Sequence, residues 1–458
     1  MAGILVVDVG TSGVRAAIVR PDATVEHVHY RPVLPSSPEP SLVEFDAQAL
    51  AAAALDVARA ALADGGPVDA VGIANQRAST IVWDRRSGVP IAPGVGWQDL
   101  RTVGTCLVLQ GQGLRITPNA SATKLAYLLG LVPREDWPHL AFGTVDTWVA
   151  WTLSGGRLHV TDGTNAGVTG LRSRDSLAWN LRTLEMLDVP ESVLPTVVDS
   201  TGVIGEATTL EGAPPLAGMA GDQQASLVGQ ACVRPGLAKI TFGTGGMLDA
   251  CVEQRPTFEA RGEGGCFPIV AWQAAGVPTW GVEAMMLAAG TNVEWLRDDL
   301  GVIASAAESD EIASRCADTG DVWYVPALLG LGTPYWDFGA RGTLLGVTRG
   351  TGRPELVRAV LEGVAHRGTD LVEAAETDAG VAFPTLRIDG GMSDNATFVQ
   401  ALADASGRPI EVAPVREATT LGAAFLAGVA VGTWSGFDDV AAAWRPARTV
   451  EPGKHADR

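Results

Sequence analysis

Asp8-Val9-Gly10-Thr11-Ser12-Gly13 closes the apolar run Ile4-Leu5-Val6-Val7 with a carboxylate and a turn of small residues, over which backbone N–H groups can approach a phosphate. Arg15 adds a positive charge just beyond the turn. A plain β-hairpin explains the same residues, so the motif alone leaves both readings open. A second copy strengthens the first reading. Leu237 to Phe242 runs into Gly243-Thr244-Gly245-Gly246 and then Met247 to Cys251, again strand, Gly-Thr turn, strand. Two facing turns of this kind could clasp one polyphosphate.

Gly221-Asp222-Gln223-Gln224 offers a different chemistry. Asp222 precedes an apolar, helix-like segment, where its carboxylate could take a proton from a substrate hydroxyl with Gln223 beside it, or could simply cap the helix. Leu386-Arg387-Ile388-Asp389-Gly390-Gly391-Met392-Ser393-Asp394-Asn395 reads as strand, glycine turn and helix start. Paired glycines let a flat adenine ring lie on backbone and Asn395 could bond it, while an ordinary strand-to-helix turn is the competing account. No Gly-x-x-x-x-Gly-Lys-Ser/Thr and no complete Gly-x-Gly-x-x-Gly after a strand occurs, which removes Walker and Rossmann nucleotide sites. His27 and His29 would share one strand face, but with no third ligand nearby they read as surface residues rather than a metal site.

The chain that must position these groups has 458 residues, 47% of them hydrophobic, enough for two or three domains. Its formal charge of -19, with Lys124, Lys239 and Lys454 as the only lysines, argues against nucleic acid as a partner. Cys106, Cys232, Cys251, Cys266 and Cys316 are odd in number and lack a Cys-x-x-Cys pair, which suits a reducing compartment. With no signal-peptide pattern at the start, the expected location is the cytoplasm. The uncharged stretch from Thr419 to Gly436 invites a membrane reading, but its Gly, Ala and Thr content fits a buried helix better.

Periodicity and turn residues predict a meander over Ile4 to Val9, Val14 to Val19 and Thr24 to Tyr30, a helix from Asp46 to Ala63 capped by Asp46, and a strand from Val68 to Ala74. After the second meander come a helix near Ala284 to Leu300, a strand at Val322 to Pro326, and a helix from Pro354 to Ala375. Strands at Leu386 to Asp389 and Ile410 to Val412 alternate with helices at Asn395 to Ala405 and Ala418 to Val431. The tail after Trp444 is expected to fray. The simplest parse is two α/β halves, residues 1–229 and 230–458.

Further segments carry a family resemblance: Gly72-Ile73-Ala74-Asn75-Gln76-Arg77, Gly96-Trp97-Gln98 with Arg101-Thr102, Phe142-Gly143-Thr144-Val145-Asp146-Thr147-Trp148, Val160-Thr161-Asp162-Gly163-Thr164-Asn165-Ala166 and Gly330-Leu331-Gly332-Thr333-Pro334-Tyr335-Trp336-Asp337. With Gly342, Leu344, Gly346, Val347, Glu355-Leu356 and Ala359-Val360-Leu361-Glu362, they resemble the FGGY carbohydrate kinases over nearly the whole chain, closest in motifs to the glycerol kinase branch. The resemblance implies a two-domain actin/hexokinase-like (ribonuclease H-like) α/β sugar kinase fold with an interdomain cleft. It implies transfer of the γ-phosphoryl of ATP to a polyol or sugar hydroxyl, with Mg²⁺ bridging phosphates. By the same resemblance Asp222 is the base, Asp8 and Asp222 serve the metal, and Thr11, Ser12, Arg15, Gly243 and Thr244 hold phosphates. Gly290, Gly391 and Asn395 line the adenosine pocket, and Arg77, Trp97, Asp222 and Gln223 meet the acceptor. Many relatives form dimers or tetramers.

The departures gather at the acceptor. Glycerol kinases carry a glutamate where Ala78 stands, a tyrosine at the place of Asn119 and an aromatic wall at Met247. Each lost hydrogen-bond partner costs about 1–3 kcal/mol of acceptor binding. This favours a pocket reshaped for a longer polyol or a ketose, with a pentulose of the xylulose type as the alternative to glycerol. A non-catalytic sugar or nucleotide sensor on the same fold is the alternative from another class. Keeping both Asp8 and Asp222 speaks against it.

Overall fold

The computed structural model describes residues 3–173, 175–415 and 417–453. The chain divides into two compact units. One runs from the N-terminus to Ala231 and adds Ile269–Thr279 and Thr419–Ala443; the other holds Cys232–Pro268, Trp280–Ala418 and the chain from Trp444 onward.

The first unit is built on a mixed sheet in the order Val25–Pro32, Gly13–Val19, Gly3–Val9, Val68–Asn75, Pro215–Gly221, Thr201–Glu206. The first three strands form an antiparallel meander, Gly3–Val9 then pairs in parallel with Val68–Asn75, and that strand pairs in parallel with Pro215–Gly221. Such strands are covered on both faces, which is why Gly3–Val9 reads as a continuous apolar run broken only by Asp8. One cover is the helix Ala47–Gly65. Asp46 caps it as expected, accepting from the Gln48 and Ala49 amides, and Leu50, Ala54, Val57, Ala58 and Ala61 are buried at helical spacing. Complete burial of Leu50 or Val57 stabilises by about 1.5–3 kcal/mol each relative to exposure. Another cover is the helix Ala418–Val431, whose Gly422 lies so close to the Ala225 carbonyl that no side chain would fit. No helix among the described residues is long and apolar enough to cross a membrane.

The second unit repeats the pattern in strands ordered Val277–Met286, Gly246–Val252, Ala238–Phe242, Leu386–Asp389, Ile410–Val412, Arg448–Val450. Again an antiparallel meander leads into parallel pairs, Ala238–Phe242 with Leu386–Asp389 and Leu386–Asp389 with Ile410–Val412.

Three expectations need correction. The predicted helix at Ala284–Leu300 is two elements: the strand Val277–Met286, then a helix only from Thr291 to Asp298. Val282, Ala284 and Met286 alternate into the core, and pairing with Gly246–Val252 makes the apolar run a strand. The tail after Trp444 does not simply fray, since Arg448–Val450 pairs antiparallel with Ile410–Val412. His27 and His29 do not keep a simple alternation, because a bulge falls between their registers and His27 has φ of 50°. His29 Nε2 lies 2.9 Å from Asp64 Oδ2.

Beneath the first sheet, Trp83 meets Trp148 edge-on at 5.1 Å and His159 at 5.4 Å, and His159 Nε2 lies 2.7 Å from the Phe142 carbonyl. Burial pushes the His159 imidazole down to about 4. Nearby Asp146 has the opposite habit: burial, with the Asp162 carboxylate adding in the same direction, pushes it up to about 7 from 3.8. The folded chain thus holds a proton on Asp146 that the unfolded chain releases, a stabilisation present below pH 3.8 and lost as pH climbs toward 7. His159 works the other way, losing stabilisation as pH falls from 6.5 to about 4. Asp146→Asn carries no such penalty at high pH. Its melting temperature relative to the parent should therefore rise between about pH 5 and about pH 8; a constant difference across that range would mean that Asp146 is ionised throughout.

Candidate active site

The first turn sits at the end of the strand Gly3–Val9. Asp8 lies opposite Arg15 across the hairpin and beside Ala74 of the parallel strand. Gly10 N–H donates to the Gly13 carbonyl at 2.9 Å, closing the turn, and the Tyr30 hydroxyl and Val33 amide donate to the Ser12 carbonyl. Thr11 is half-buried and Ser12 exposed. The strand Val68–Asn75 ends at the same edge, so Gln76 N–H donates to the Val9 carbonyl at 2.7 Å and Gln76 Nε2 to the Gly10 carbonyl at 3.2 Å.

Gln76 then links the loops that carry Ala78, Trp97 and Asn119. Its Oε1 accepts from Ser79 Oγ at 3.0 Å, the Ser79 hydroxyl oxygen accepts from Trp97 N–H at 3.1 Å, and the Trp97 indole donates to Thr11 Oγ1 at 3.3 Å. The Trp97 carbonyl accepts from Asn119 Nδ2 at 3.2 Å and from Lys124 Nζ at 3.1 Å. Asn119 is otherwise exposed. Ala78 is buried in the left-handed region, φ 60°, and its carbonyl accepts from the Ser121 and Thr80 hydroxyls.

Gln76 appears in the sequence reading only inside a motif, and Lys124 has no role there. A buried amide linking two loops shows no periodicity. Lys124 had one signal, its rarity in an arginine-rich chain. Burial pushes its ammonium down to about 8, against the pull of Asp99.

Parallel pairing sets Gly221 beside Asn75, so Asp222 and Arg77 leave their strands at the same edge. Gly221 occupies the cap position, which leaves Asp222 as the first residue of the helix Asp222–Gly229, where a negative charge suits the helix dipole. Asp222 Oδ1 accepts from the Gln223 amide at 2.8 Å and lies 3.4 Å from Arg77 Nε. Arg77 Nη1 donates to Gln224 Oε1 at 3.4 Å. The Asp222 side chain is 32% exposed against 13% for Arg77, so the carboxylate is reachable while its cation is held. A carboxylate so placed can accept a proton from a hydroxyl.

In the second unit the Gly243-Thr244 turn is laced to the start of the helix Thr291–Asp298. Gly290 N–H donates to the Gly243 carbonyl at 2.9 Å and the Ala289 and Thr291 amides to the Thr244 carbonyl. A side chain at 290 would press on the Gly243 carbonyl. Gly390, at φ 87°, packs against the Phe242 backbone, which brings Gly391 to the same edge of this sheet. Asn395 caps the helix Ala396–Ser406 through Oδ1 and donates from Nδ2 to Ser309 Oγ at 3.0 Å. Met247 is half-buried on the strand Gly246–Val252, opposite Thr241 and Met285. Among the described residues no group of three or more His, Cys, Asp or Glu side chains could hold a metal ion as a cage.

The model described as the FGGY family of carbohydrate kinases, N-terminal domain, matches residues 3–229, and its C-terminal counterpart matches residues 238–431. The chain is 41% identical to a glycerol kinase of Dechloromonas aromatica, covering 99% of this chain and 94% of that one. It is 39% identical to glycerol kinase 2 of Thermotoga maritima, covering 100% and 96%. Among solved structures, Plasmodium falciparum glycerol kinase with ADP superposes with a TM-score of 0.91 at 27% identity, covering 99% of this chain and 94% of that one. A ligand-bound xylulose kinase from Lactobacillus acidophilus, at 19% identity, shares the fold with a TM-score of 0.88, covering 100% and 95%.

Proposed function

We propose, because this chain belongs to the FGGY family of carbohydrate kinases, that it phosphorylates glycerol or a closely related polyol with Asp222 as the base. The chain is an ATP-dependent phosphotransferase with an alcohol group as acceptor. The observation that carries the residue assignment is the Arg77–Asp222 pair, set at one edge by two parallel strands and joined through Gln76 to the first Gly-Thr turn.

In this reading the acceptor hydroxyl lies against Asp222, which takes its proton as the oxygen attacks the γ-phosphorus and the bond from that phosphorus to the β–γ bridging oxygen breaks, releasing ADP. Arg77, Gln223 and Trp97 orient the remaining hydroxyls. Thr11, Ser12 and Arg15 in residues 1–229, and Gly243 and Thr244 in residues 230–458, hold phosphate oxygens; Gly290, Gly391 and Asn395 bound the adenosine. Phosphoryl transfer needs position and charge neutralisation more than a strong nucleophile, and these groups supply both. Asp8, a hard oxygen donor at the edge of the turn, fits Mg²⁺, which is usually held by one or two carboxylates plus phosphates and water rather than by a protein cage. Such an ion would neutralise charge on the phosphates. The five free cysteines suit a reducing compartment, and we place the enzyme in the cytoplasm.

A second reading, a longer polyol or a pentulose, is favoured by Ala78, which brings only a methyl, and by Asn119, whose amide is committed to the Trp97 carbonyl. ADP release from MgATP over glycerol, erythritol, threitol, ribitol, xylitol and D-xylulose separates the two. Glycerol should give the highest kcat/KM, and activity should vanish in Asp222→Ala. A C4 or C5 acceptor preferred over glycerol selects the second reading, and silence with every acceptor overturns both.

A further inference from the structure

The segment Val160 to Ala166 stands apart from the site residues in sequence, yet its buried polar groups lead to two of them. Asp162, fully buried, ends the strand Val160–Asp162 and caps the helix Gly163–Val168. Its carboxylate accepts five hydrogen bonds: Oδ1 from Thr164 Oγ1, the Asn165 amide and Asn165 Nδ2, and Oδ2 from the Thr164 amide and Ser200 Oγ. Two branches leave it. Thr164 gives its hydroxyl proton to Asp162, so its oxygen is left to accept, and it accepts from Gly221 N–H at 2.9 Å. Asn165 exchanges amide hydrogen bonds with Asn75 at 2.9 and 3.0 Å, and Asn75 Nδ2 donates to the Gln76 carbonyl at 2.8 Å. The first branch ends on the residue before Asp222 and the second on the residue before Arg77.

We propose that Asp162, acting through Thr164 and the Asn165–Asn75 pair, is the positioning residue that fixes Asp222 and Arg77 against each other. This rests on the reading of Asp222 as the base. Parallel pairing of Gly221 with Asn75 sets the two strand ends side by side, but strand ends can slide and twist by a few tenths of an ångström. The Arg77–Asp222 separation of 3.4 Å is at the length where such a shift decides between contact and none. A buried, fully satisfied polar network resists that shift, because any displacement leaves a buried donor without its acceptor. Charged groups near the two ends include Arg77 at Asp222, Asp146 behind Asp162, and Arg172, which donates to the Gly163 carbonyl.

Asp162→Asn sets an amide among five donors and endangers folding, so the test uses Thr164 in the full-length enzyme. Thr164→Val keeps the shape and loses the acceptor of Gly221 N–H; Thr164→Ser keeps the hydroxyl. With glycerol and MgATP, Thr164→Val should lower kcat about 10- to 100-fold, with KM for ATP unchanged. Because the nucleotide turns are untouched, the loss should fall on kcat while the share of folded, ATP-binding protein stays parental. Thr164→Ser should restore kcat. A Thr164→Val enzyme of parental kcat, or one whose loss of rate matches its loss of folded protein, overturns the proposal, as does a Thr164→Ser enzyme equally impaired. Failure of the base reading looks different: Asp222→Asn would then keep its activity whatever stands at 164.

Discussion

Asp222→Asn should lower kcat about 10²- to 10⁴-fold while nucleotide binding stays within about twofold of the parent, the range expected when a positioned proton acceptor is removed. Asn is the informative replacement because its oxygen still accepts from the Gln223 amide, which Oδ1 now takes at 2.8 Å. What it loses is basicity and the negative charge beside Arg77. The charge also sits in the first turn of the helix Asp222–Gly229, but that dipole term is worth only about 0.3–1 kcal/mol and cannot unfold the unit. A large fall in kcat with an intact melting transition would therefore belong to chemistry. Turnover by ADP release, paired with calorimetric nucleotide binding, separates the two. An Asp222→Asn enzyme within about tenfold of parental kcat would remove Asp222 from the role of base.

The motif residues were legible because their chemistry is local. A carboxylate at a strand end, a glycine turn and a helix start are visible in ten residues, and the strands Leu386–Asp389 and Ile410–Val412 and the helix Ala418–Val431 fall where turn residues bound an apolar run. What escaped is what depends on a distant partner. Val277–Met286 is a strand because Gly246–Val252 offers it a ladder, and its Met285-Met286-Leu287 run carries no period of its own. Arg448–Val450 has almost no apolar content and exists as a strand only through Ile410–Val412. Of the residues proposed for the site, Asp8, Arg77 and Asp222 stand in motifs that the sequence displays. Gln76 and Lys124 meet the carbonyls of Gly10 and Trp97, far off along the chain, and Asp162 shows locally only the cap it makes with Thr164 and Asn165, not the Gly221 and Asn75 groups to which those two lead.

Lys239→Met should destabilise the protein by about 3–5 kcal/mol, the usual result of removing one partner of a buried ion pair. Lys239 and Asp249 are both fully buried, lie opposite each other in register and approach to 2.7 Å. The register continues the row across the second unit's sheet, from Glu283 beside Asp249 to Arg387 beside Lys239 and on to Glu411, with Arg387 and Glu411 at 3.0 Å. Two acids thus stand side by side next to one ammonium. Without Lys239, Asp249 and Glu283 would face each other as like charges across the strands, and cross-strand pairs of like charge oppose folding. Against a total stability of about 5–15 kcal/mol, the loss is large enough to read as a fall in urea midpoint and melting temperature. Adding Asp249→Leu should recover most of it, because the penalty comes from the stranded carboxylate rather than from the absent lysine. If the double variant is as unstable as the single one, Lys239 stabilises the sheet through its stem and its 2.9 Å bond to Thr241 Oγ1, and the ion pair contributes little.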